Sequence, residues 1–542
     1  MAETFDVIII GAGPNGLAIG AYLSKASQKV LILEKRLEEG GGLMTEQVTV
    51  PEFYHNTHAL YMMMADMAPV YKDFELETKW DVHHVFPDLQ VALLTRDGRG
   101  VCFYRDVGKT CQSIAQLSER DAKAYRQMHG RYDEMMKRIL GPQTYVPMDA
   151  APLMAAKAQA TELGRELSEL AERSPKEIIC DMYEHELVRT AMLYMGTHWG
   201  LDYAQSGVSY MVPIYLNRMV NYRITCGGSH RVSNALYKSI FAHQGQIRQS
   251  ARLKRIIVEN GQAKGVLLED GREYRAEKAV VSTIDPHQTF LNYVGRENLE
   301  PAFVDMVESY MWEKWSLNNL HLALNEVPHF KAADKNPDID KALFCILGFE
   351  RVIELTDYYD AIIAGKLPEQ CGLTCTFPSV HDSYQAPPGK ATAYISQMAP
   401  YELSDGGKDK WYKREFRAAR AEQIIELVSR YTTNTDKSRI LKSYMTTPVD
   451  IENKYASMVR GGYKHGAYHP LQMGYLRPNQ DCSHYRTPIK NLYVGGASVA
   501  PGGMVIWGPG YNCANAIAED FGIQKWWSEL GMVTSAIEQG YI

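Results

Sequence analysis

The chain has 542 residues and a mass of 61.2 kDa, which is too long for one simple hydrophobic core and predicts two or more domains. Hydrophobic residues make up 45% of the sequence and charged residues 23%, as in ordinary globular proteins, so the composition excludes a disordered or fibrous design. The formal net charge of −6 and the isoelectric point near 6.3 exclude the basic field of a nucleic-acid-binding protein.

The cysteine content and the hydropathy of the sequence predict the cellular location of the protein. The nine cysteines are scattered and odd in number, which favours a reducing compartment, and we predict a cytoplasmic location. Cys371 and Cys375 have no second pair at zinc-ligand spacing, so no metal site is predicted. No charged leader precedes an apolar run, and no segment reaches the roughly 18 apolar residues of a membrane span. The sequence therefore predicts a soluble protein with at most peripheral contact with a membrane.

The first predicted elements are a strand, a glycine-rich turn and a helix. Val7 to Ile10 is a β-branched run typical of a strand buried in a parallel sheet, and a helix is predicted from Pro14 to Ala26. Gly11, Gly13 and Gly16 form a G-x-G-x-x-G pattern between them. The first glycine makes the turn, the second lets the backbone approach a pyrophosphate, and the third allows close packing of helix on strand.

A second predicted strand, KVLILEK, contains Glu34 at its end. A carboxylate there can accept both hydrogen bonds of an adenosine ribose diol and would repel the additional phosphate of NADP. A Walker phosphate loop is excluded because no Lys-Ser or Lys-Thr follows the last glycine. The three elements together predict a dinucleotide-binding unit, with FAD and NAD as the alternatives.

Three later segments favour FAD over NAD. Gly40 to Gly42 form a second glycine-rich turn after Glu34, and this turn resembles a cofactor-binding motif of flavoproteins with two dinucleotide-binding domains. A hairpin is predicted at Asn260-Gly261, and the strand AEKAVVST follows it. Residues 489–522 predict a buried strand, a glycine-rich turn and a helix, like the closing FAD motif of the same flavoproteins. The two ends of the chain are therefore expected to build one site.

Two long insertions interrupt these segments and are predicted to form the substrate region. The first is helical by pattern, with Ser118 as a candidate N-cap. The sequence contains no internal repeat or low-complexity linker, which predicts interleaved domains. The predicted boundaries are an FAD-binding domain of residues 1–60, 220–290 and 455–525, a substrate domain of residues 61–219 and 291–454, and a tail of residues 526–542.

Nearly the whole chain resembles the bacterial-type phytoene desaturase family, in its phytoene dehydrogenase-related branch, within the flavin amine oxidase-like superfamily. The resemblance is carried by VIIIGAGPNGL, EKRLEEGGGLMTE, GYLRPNQDCSHYRTPIKNLYVGGASVAPGG and GPGYNCANAIAED. It implies an α/β fold in which a Rossmann-like FAD-binding domain is interleaved with a mixed α+β substrate domain. It also implies desaturation or oxidation of an apolar or cyclic substrate by hydride transfer to the flavin, with oxygen or a quinone-type electron acceptor.

The motifs and the resemblance together predict the residues that bind FAD. These are Gly11, Gly13, Pro14, Asn15, Gly16, Glu34, Lys35, Gly41, Gly42, Leu43, Met44, Leu253, Gly496, Ala497, Gly510, Tyr511 and Asn512. Many family members have small residues where this chain has Met504 to Trp507, a departure that disfavours carotenoid-like substrates.

Histidine and aromatic side chains beside the cofactor motifs are candidates for catalysis, because an imidazole can take a substrate proton. The catalytic candidates are His55, His58, Tyr61, Trp507 and Tyr511, the last two as parts of a ring-recognising pocket. Further candidates for an acid, a base or an anchor are Tyr54, His465, His469 and Arg477. Two alternatives stay open: a flavin amine oxidase, and an interaction protein that keeps FAD as a structural element. The oligomeric state is not predicted.

Overall fold

The computed structural model describes residues 3–369 and 371–542. The strands are, in chain order, β1 (Glu3–Ile10), β2 (Val30–Leu33), β3 (Thr45–Glu46), β4 (His55–Asn56), β5 (Tyr61–Met62), β6 (His84–Val85), β7 (Leu89–Leu94), β8 (Gly100–Tyr104), β9 (Arg223–Thr225), β10 (Gln246–Arg248), β11 (Leu253–Glu259), β12 (Gln262–Leu268), β13 (Glu273–Ser282), β14 (Ser316–Leu324), β15 (Phe344–Leu347), β16 (Leu373–Thr376), β17 (Ala391–Ala399), β18 (Ile440–Thr446) and β19 (Leu492–Val494).

The α-helices, which short 3₁₀ and π-helical turns supplement, are α1 (Pro14–Lys25), α2 (Pro69–Asp73), α3 (Leu76–Trp80), α4 (Val107–Ala115), α5 (Glu119–Met135), α6 (Gly141–Gln143), α7 (Ala151–Ala160), α8 (Glu162–Ala171), α9 (Pro175–Met182), α10 (Glu186–Thr197), α11 (Val212–Arg218), α12 (His230–Ala242), α13 (Pro301–Glu308), α14 (Val352–Ile363), α15 (Arg414–Ser429), α16 (Pro448–Lys454), α17 (Gly508–Asp520) and α18 (Gly531–Glu538).

The first sheet has β1 at its centre. Its strand order is β10-β2-β1-β13-β12-β11, and β19 also pairs with β13. Strands β10, β2, β1, β13 and β19 are parallel, so their carboxyl ends meet at one edge. Val7 to Ile10 are buried because helices cover the sheet, which explains the continuous apolar run. Open parallel sheets bind their ligands at this edge.

Helices α1 and α17 bring the two ends of the chain together. Gly510 lies against α1, where a Cβ atom on it would lie 2.7 Å from the carbonyl oxygen of Asn15. The backbone N–H of Gly510 donates to Asn15 Oδ1 at 3.2 Å. The absence of a side chain at Gly510 therefore permits close contact between two helices that lie at opposite ends of the sequence.

The second sheet is mostly antiparallel and belongs to the other half of the molecule. Its strand order is β18-β14-β17-β16-β15-β7-β8, in which only the β15–β7 pair is parallel among the strands described. Every residue of β14, β15, β16 and β17 is buried. Helices α4, α10, α15 and α16 contact strands of this sheet, which completes a mixed α/β architecture and confirms the predicted fold class.

Several local predictions are confirmed. The hairpin of β11 and β12 turns at Asn260 and Gly261, which both have positive φ angles of 51° and 71° as a type I′ turn requires. Ser118 caps α5 by accepting a hydrogen bond from the Asp121 N–H at 3.1 Å. Both features depend only on residues within three positions of each other in the sequence.

The strands of the two sheets fall on either side of the predicted division into an FAD-binding and a substrate domain. The exact domain boundaries stay a prediction. All strands of the first sheet lie in the three predicted FAD-binding segments, and all strands of the second lie in the two insertions. The small sheet β5-β9-β6 combines strands from both parts. The predicted tail contains α18 and the ring of Trp527, whose centroid lies 5.0 Å from that of Tyr22. The start of the tail therefore packs against the FAD-binding half, whereas α18 contacts residues 136–143 of the predicted substrate domain.

No helix in residues 3–369 or 371–542 is long and apolar enough to cross a bilayer. In the same ranges, no three His, Cys, Asp or Glu side chains are grouped in a way that could hold a metal ion.

Candidate functional site

Two adjoining cavities lie between the sheets. The edge cavity borders the carboxyl ends of the first sheet, and its lining includes Gly11, Gly13, Glu34, Arg36, Leu253 and Thr283. The inner cavity lies between that edge and the second sheet, with Leu60, Tyr61, Phe344, Tyr394, Ser396 and Val505 in its wall. Six residues line both cavities: Pro14, Asn15, Gly42, Met458, His465 and Ala497. A ligand in the edge cavity therefore adjoins a ligand in the inner one.

The glycine-rich turn between β1 and α1 exposes backbone to the edge cavity. Gly11 has a φ of +98°, and a Cβ atom on Gly16 would lie 2.0 Å from the Gly11 carbonyl oxygen. A Cβ atom on Gly13 would meet no atom within 4 Å. Gly13 also caps α1 without a side-chain hydrogen bond, so the amides of the first turn stay available to an anion. Gly11 and Gly16 are therefore needed for the backbone of the turn, and Gly13 leaves the space beside the turn free for a ligand.

Glu34 is held at the end of β2 with its carboxylate against the edge cavity. Its Oε2 accepts from the Ala12 N–H and its Oε1 from the Arg36 N–H, each at 2.9 Å. A carboxylate has about four lone-pair sites, so two remain for hydroxyl donors of a ligand. This arrangement fits the ribose diol of an adenine dinucleotide.

Cationic side chains complete the edge cavity. Lys35, Arg36 and Lys454 all line it. Arg36 Nη1 is buried and has no hydrogen-bond partner in the part of the chain that the structure describes. Burial lowers the pKa of Lys35 and that of Lys454, which also pairs with Glu46. A buried guanidinium nitrogen without a partner fits an anionic ligand, and the donor set as a whole fits the phosphates of FAD.

The inner cavity is apolar. About 970 Å³ of space free of protein atoms lies in and at the mouth of this cavity, and its described wall contains no Asp, Glu, Lys or Arg. The second sheet contributes Leu317, Phe344, Thr374, Tyr394 and Ser396 to that wall. A charged ligand would lose its hydration there without a compensating ion pair, so the cavity favours a neutral one.

Three histidines line the inner cavity, and all three are neutral at pH 7. Burial lowers the pKa of His58 to about 3, with a smaller contribution from His465. Burial lowers the pKa of His198 to about 3 and that of His465 to about 4. His465 Nδ1 lies 3.1 Å from the Ser457 carbonyl oxygen. If Nδ1 carries the proton for this hydrogen bond, Nε2 is left as an acceptor.

These three histidines predict acid-sensitive stability. Because their pKa values are lower in the folded protein than the ordinary 6.5, the unfolded chain binds more protons below pH 6.5. The stability is therefore fully present above pH 6.5 and is lost as the pH falls towards 4. Each histidine is expected to remove up to about 1.4 kcal/mol of unfolding free energy per pH unit.

Denaturant unfolding at pH 7.5, 6 and 5 measures this loss. Replacement of His198 with glutamine removes one of the three buried imidazoles and should weaken the pH dependence. Equal stability at pH 7.5 and pH 5 would contradict the prediction.

The structure brings most of the predicted cofactor-binding residues to the edge cavity. Those in its lining are Gly11, Gly13, Pro14, Asn15, Gly16, Glu34, Lys35, Gly41, Gly42, Leu253 and Ala497. Their contact with FAD stays a prediction.

Six other predicted cofactor residues lie outside both cavities. Leu43 and Met44 are buried in the hydrophobic cores. A Cβ atom on Gly496 would lie 2.2 Å from the Thr283 carbonyl oxygen, so Gly496 serves backbone packing. On α17, Asn512 Nδ2 donates to the Tyr485 hydroxyl at 2.8 Å. The remaining two, Gly510 and Tyr511, lie beside α1 because α17 packs along that helix.

Some of the catalytic candidates line a cavity and others do not. His58 and Tyr61 line the inner cavity. His55, Trp507 and Tyr511 line neither cavity, and their part in catalysis stays a prediction. His55 Nε2 lies 2.8 Å from Thr49 Oγ1, while the rings of Trp507 and Tyr511 pack edge to face against Tyr71 and Tyr22.

The further candidates have distinct surroundings. Tyr54 is 38% exposed, and His469 Nδ1 accepts from the Leu471 N–H. Arg477 is fully buried and donates to the backbone carbonyls of Lys464, His465, Ala467 and Ala497. Since His465 and Ala497 line both cavities, Arg477 holds together the two loops at their junction.

Sequence reasoning missed three groups of lining residues. Thr283 follows β13, and its place beside Gly11 could have been inferred from the strand AEKAVVST in a parallel sheet. Residues 454–458 have no motif, and residues of the second sheet such as Phe344 and Ser396 come from separate insertions. No local pattern could have placed these two groups.

Comparison with known proteins adds independent findings. Residues 1–52 match the Thi4 family. The chain is 37% identical over 551 residues to one of the subunits of the limonene dehydrogenase of Castellaniella defragrans, an alignment that covers 99% of this chain and 98% of the relative. It is 21% identical over 520 residues to 4,4'-diapophytoene desaturase (4,4'-diapolycopene-forming) of Methylomonas sp, with 93% and 92% of the two chains covered.

A solved structure shares the fold. Wild-type putrescine oxidase bound to putrescine superposes with a TM-score of 0.59 at 13% sequence identity, covering 96% of this chain and 100% of that one. Identity this low shows the fold alone.

Proposed function

Because this chain belongs to the phytoene desaturase-related family of FAD-dependent oxidoreductases, we propose that it removes hydrogen from a cyclic, hydrocarbon-rich substrate held in the inner cavity. The protein is an FAD-dependent oxidoreductase that acts on an apolar substrate. The relative with 37% identity is named for limonene, a cyclic hydrocarbon, which supports a ring-shaped substrate here.

One observation carries the proposal. The inner cavity has no Asp, Glu, Lys or Arg side chain in its described wall, yet it shares six lining residues with the edge cavity. An apolar molecule therefore lies next to the cofactor site and away from water. Exclusion of water matters because removal of a hydride from carbon leaves a cationic centre that water would attack.

FAD fits the edge cavity through this chain's own groups. The bare backbone at Gly13 and the first turn of α1 would face its phosphates, Glu34 its ribose, and Arg36 its negative charge. When bound, the flavin supplies an acceptor for a hydride equivalent. The residues that line both cavities, among them Gly42 and Met458, would contact both ligands where they meet.

We assign the role of proton acceptor to His465. It lines both cavities, it is neutral at pH 7, and its Nε2 is free when Nδ1–H donates to the Ser457 carbonyl. Loss of a hydride from one carbon and of a proton from its neighbour to His465 Nε2 forms a new C=C bond. A weak base suffices, because a C–H bond beside a cationic carbon is strongly acidic. His58 and Tyr61 line the substrate side alone and are proposed to orient the ring.

The amine oxidase alternative is less well supported by the site. No carboxylate among the described residues lines the inner cavity to receive an ammonium group. The enzyme assignment also sets aside the interaction-protein alternative. We further propose that oxygen or a quinone-type compound reoxidises the flavin, as the resemblance implies.

Anaerobic mixing of the holoenzyme with cyclic alkenes, linear polyenes and amines tests the proposal. We expect a cyclic alkene to bleach the flavin absorbance and amines to leave it unchanged. A fully saturated ring of equal size is the control, because it lacks an activated C–H bond. Bleaching by amines alone would contradict the proposal. Readmission of air then tests oxygen as the acceptor, since fast recovery marks an oxidase and slow recovery a dehydrogenase that uses another acceptor.

A further inference from the structure

A row of polar side chains crosses the second sheet on the face that borders the inner cavity. Thr446 pairs with Asn319, Asn319 with Ser396, and Ser396 with Thr374 across strands β18, β14, β17 and β16. Directly paired residues project from the same face of a sheet. Ser396 and Thr374 line the inner cavity, and all four side chains are at most 5% exposed. We call these four residues the polar row.

Most hydrogen-bonding atoms of the polar row are unused. Ser396 Oγ, Thr446 Oγ1, and both amide atoms of Asn319 are buried and lack a partner among residues 3–369 and 371–542. Thr374 Oγ1 donates to the Ser396 carbonyl oxygen at 3.3 Å. Buried polar groups are nearly always hydrogen-bonded, because leaving one unpaired is costly. Four such atoms in one row of a sheet therefore indicate a site built for a ligand.

The neighbouring rows differ from the polar row. In the next one, Thr376 hydrogen-bonds with the Tyr61 hydroxyl and Tyr394 donates to the His58 carbonyl oxygen at 3.4 Å. On the other side, Leu317 pairs with Met398, so that row is apolar. The two ring nitrogens of His321, which pairs with Tyr394 in the first of these rows, are also buried without a partner in the described part of the chain. The unused hydrogen-bonding capacity of these three rows therefore lies in the polar row and at His321 beside it.

We propose that the polar row is a binding subsite for one neutral oxygen group, either a hydroxyl or carbonyl on the substrate or an ordered water molecule. An amide and a hydroxyl each offer a donor and an acceptor, which suits a neutral oxygen. No charged side chain belongs to the row, so it gives an ion no counter-charge. The inference deepens the proposed function and rests on it, since it identifies a polar end on an otherwise hydrocarbon substrate.

Calorimetric titration of the holoenzyme with cyclohexene and with cyclohex-2-en-1-ol tests the substrate source of the oxygen. We expect the alcohol to bind at least about 10-fold more tightly than the alkene, because one hydrogen bond to the ligand contributes about this factor in affinity. The variant Ser396→Ala should lose that preference and keep its affinity for cyclohexene. The matched control is Ser443→Ala, because Ser443 lies on β18 with an exposed side chain.

A crystal structure of the holoenzyme with cyclohexene tests the water source. An ordered oxygen bonded to Ser396 Oγ and the Asn319 amide would support the subsite even if the two ligands bind equally. Equal affinities together with no ordered atom at the row would overturn it. This failure differs from failure of the proposed function, in which no cyclic alkene bleaches the flavin whatever the calorimetry shows.

Discussion

Replacement of Glu34 with alanine is expected to weaken FAD binding by at least about 100-fold. The carboxylate is the acidic group of the edge cavity that faces the expected ribose, and it also accepts the backbone N–H groups of Ala12 and Arg36. Its loss removes hydrogen bonds to the cofactor worth roughly 1.5–3 kcal/mol each, because they involve a charged acceptor. Every 1.4 kcal/mol or so is a factor of ten in affinity.

Flavin absorbance of the purified variant, followed by titration of the apoprotein with FAD, measures the effect. The matched control is Glu38→Ala, since the Glu38 side chain is 59% exposed and lines neither cavity. The control should keep a full complement of flavin. If Glu34→Ala also keeps it, FAD does not bind at the end of β2 as we infer.

Replacement of His465 with asparagine is expected to lower the rate of flavin reduction by about 10²-fold to 10⁴-fold, the usual contribution of a general base. Asparagine is the appropriate substitute because His465 has a φ of 57°, a left-handed conformation that asparagine tolerates better than most residues. The His465 carbonyl accepts hydrogen bonds from Tyr310 and Arg477, and these backbone contacts survive the substitution. The loss should therefore fall on proton transfer and leave the fold intact.

Stopped-flow reduction under anaerobic conditions separates this rate from binding. FAD content and substrate affinity are expected to stay close to those of the wild type. The variant His469→Asn is the control, since His469 lies in the same loop region but lines neither cavity. A reduction rate within about 3-fold of the wild type would show that His465 is not the base, because a general base contributes far more.

The cofactor half of the site was largely predictable because its determinants are local. Gly11, Gly13 and Gly16 form one turn, and Glu34 follows the next strand, so the chain itself brings them to one sheet edge. The hairpin at Asn260-Gly261 is local in the same sense. The pattern of residues within a few positions determines such turns whatever the rest of the molecule does.

Several predicted site residues line neither cavity, and for those at the last predicted helix the reason is the direction of their side chains. Residues 508–520 form a helix, as the sequence predicts, but its packing on α1 turns Tyr511 towards Tyr22 and Asn512 towards Tyr485. Trp507 likewise packs against Tyr71 in the core. A helical pattern identifies an apolar face, but the neighbour of that face depends on the tertiary fold.

By itself, the sequence predicted the glycine-rich turn, the acidic residue at the end of the second strand and an apolar substrate region. Only the tertiary structure decided what surrounds the substrate. Phe344, Thr374 and Ser396 come from three strands of the second sheet, and Leu60 comes from another part of the chain. Their convergence depends on strand order and register, and a shift of one residue would turn each strand's side chains to the opposite face. Such long-range pairing leaves no signature within any single segment.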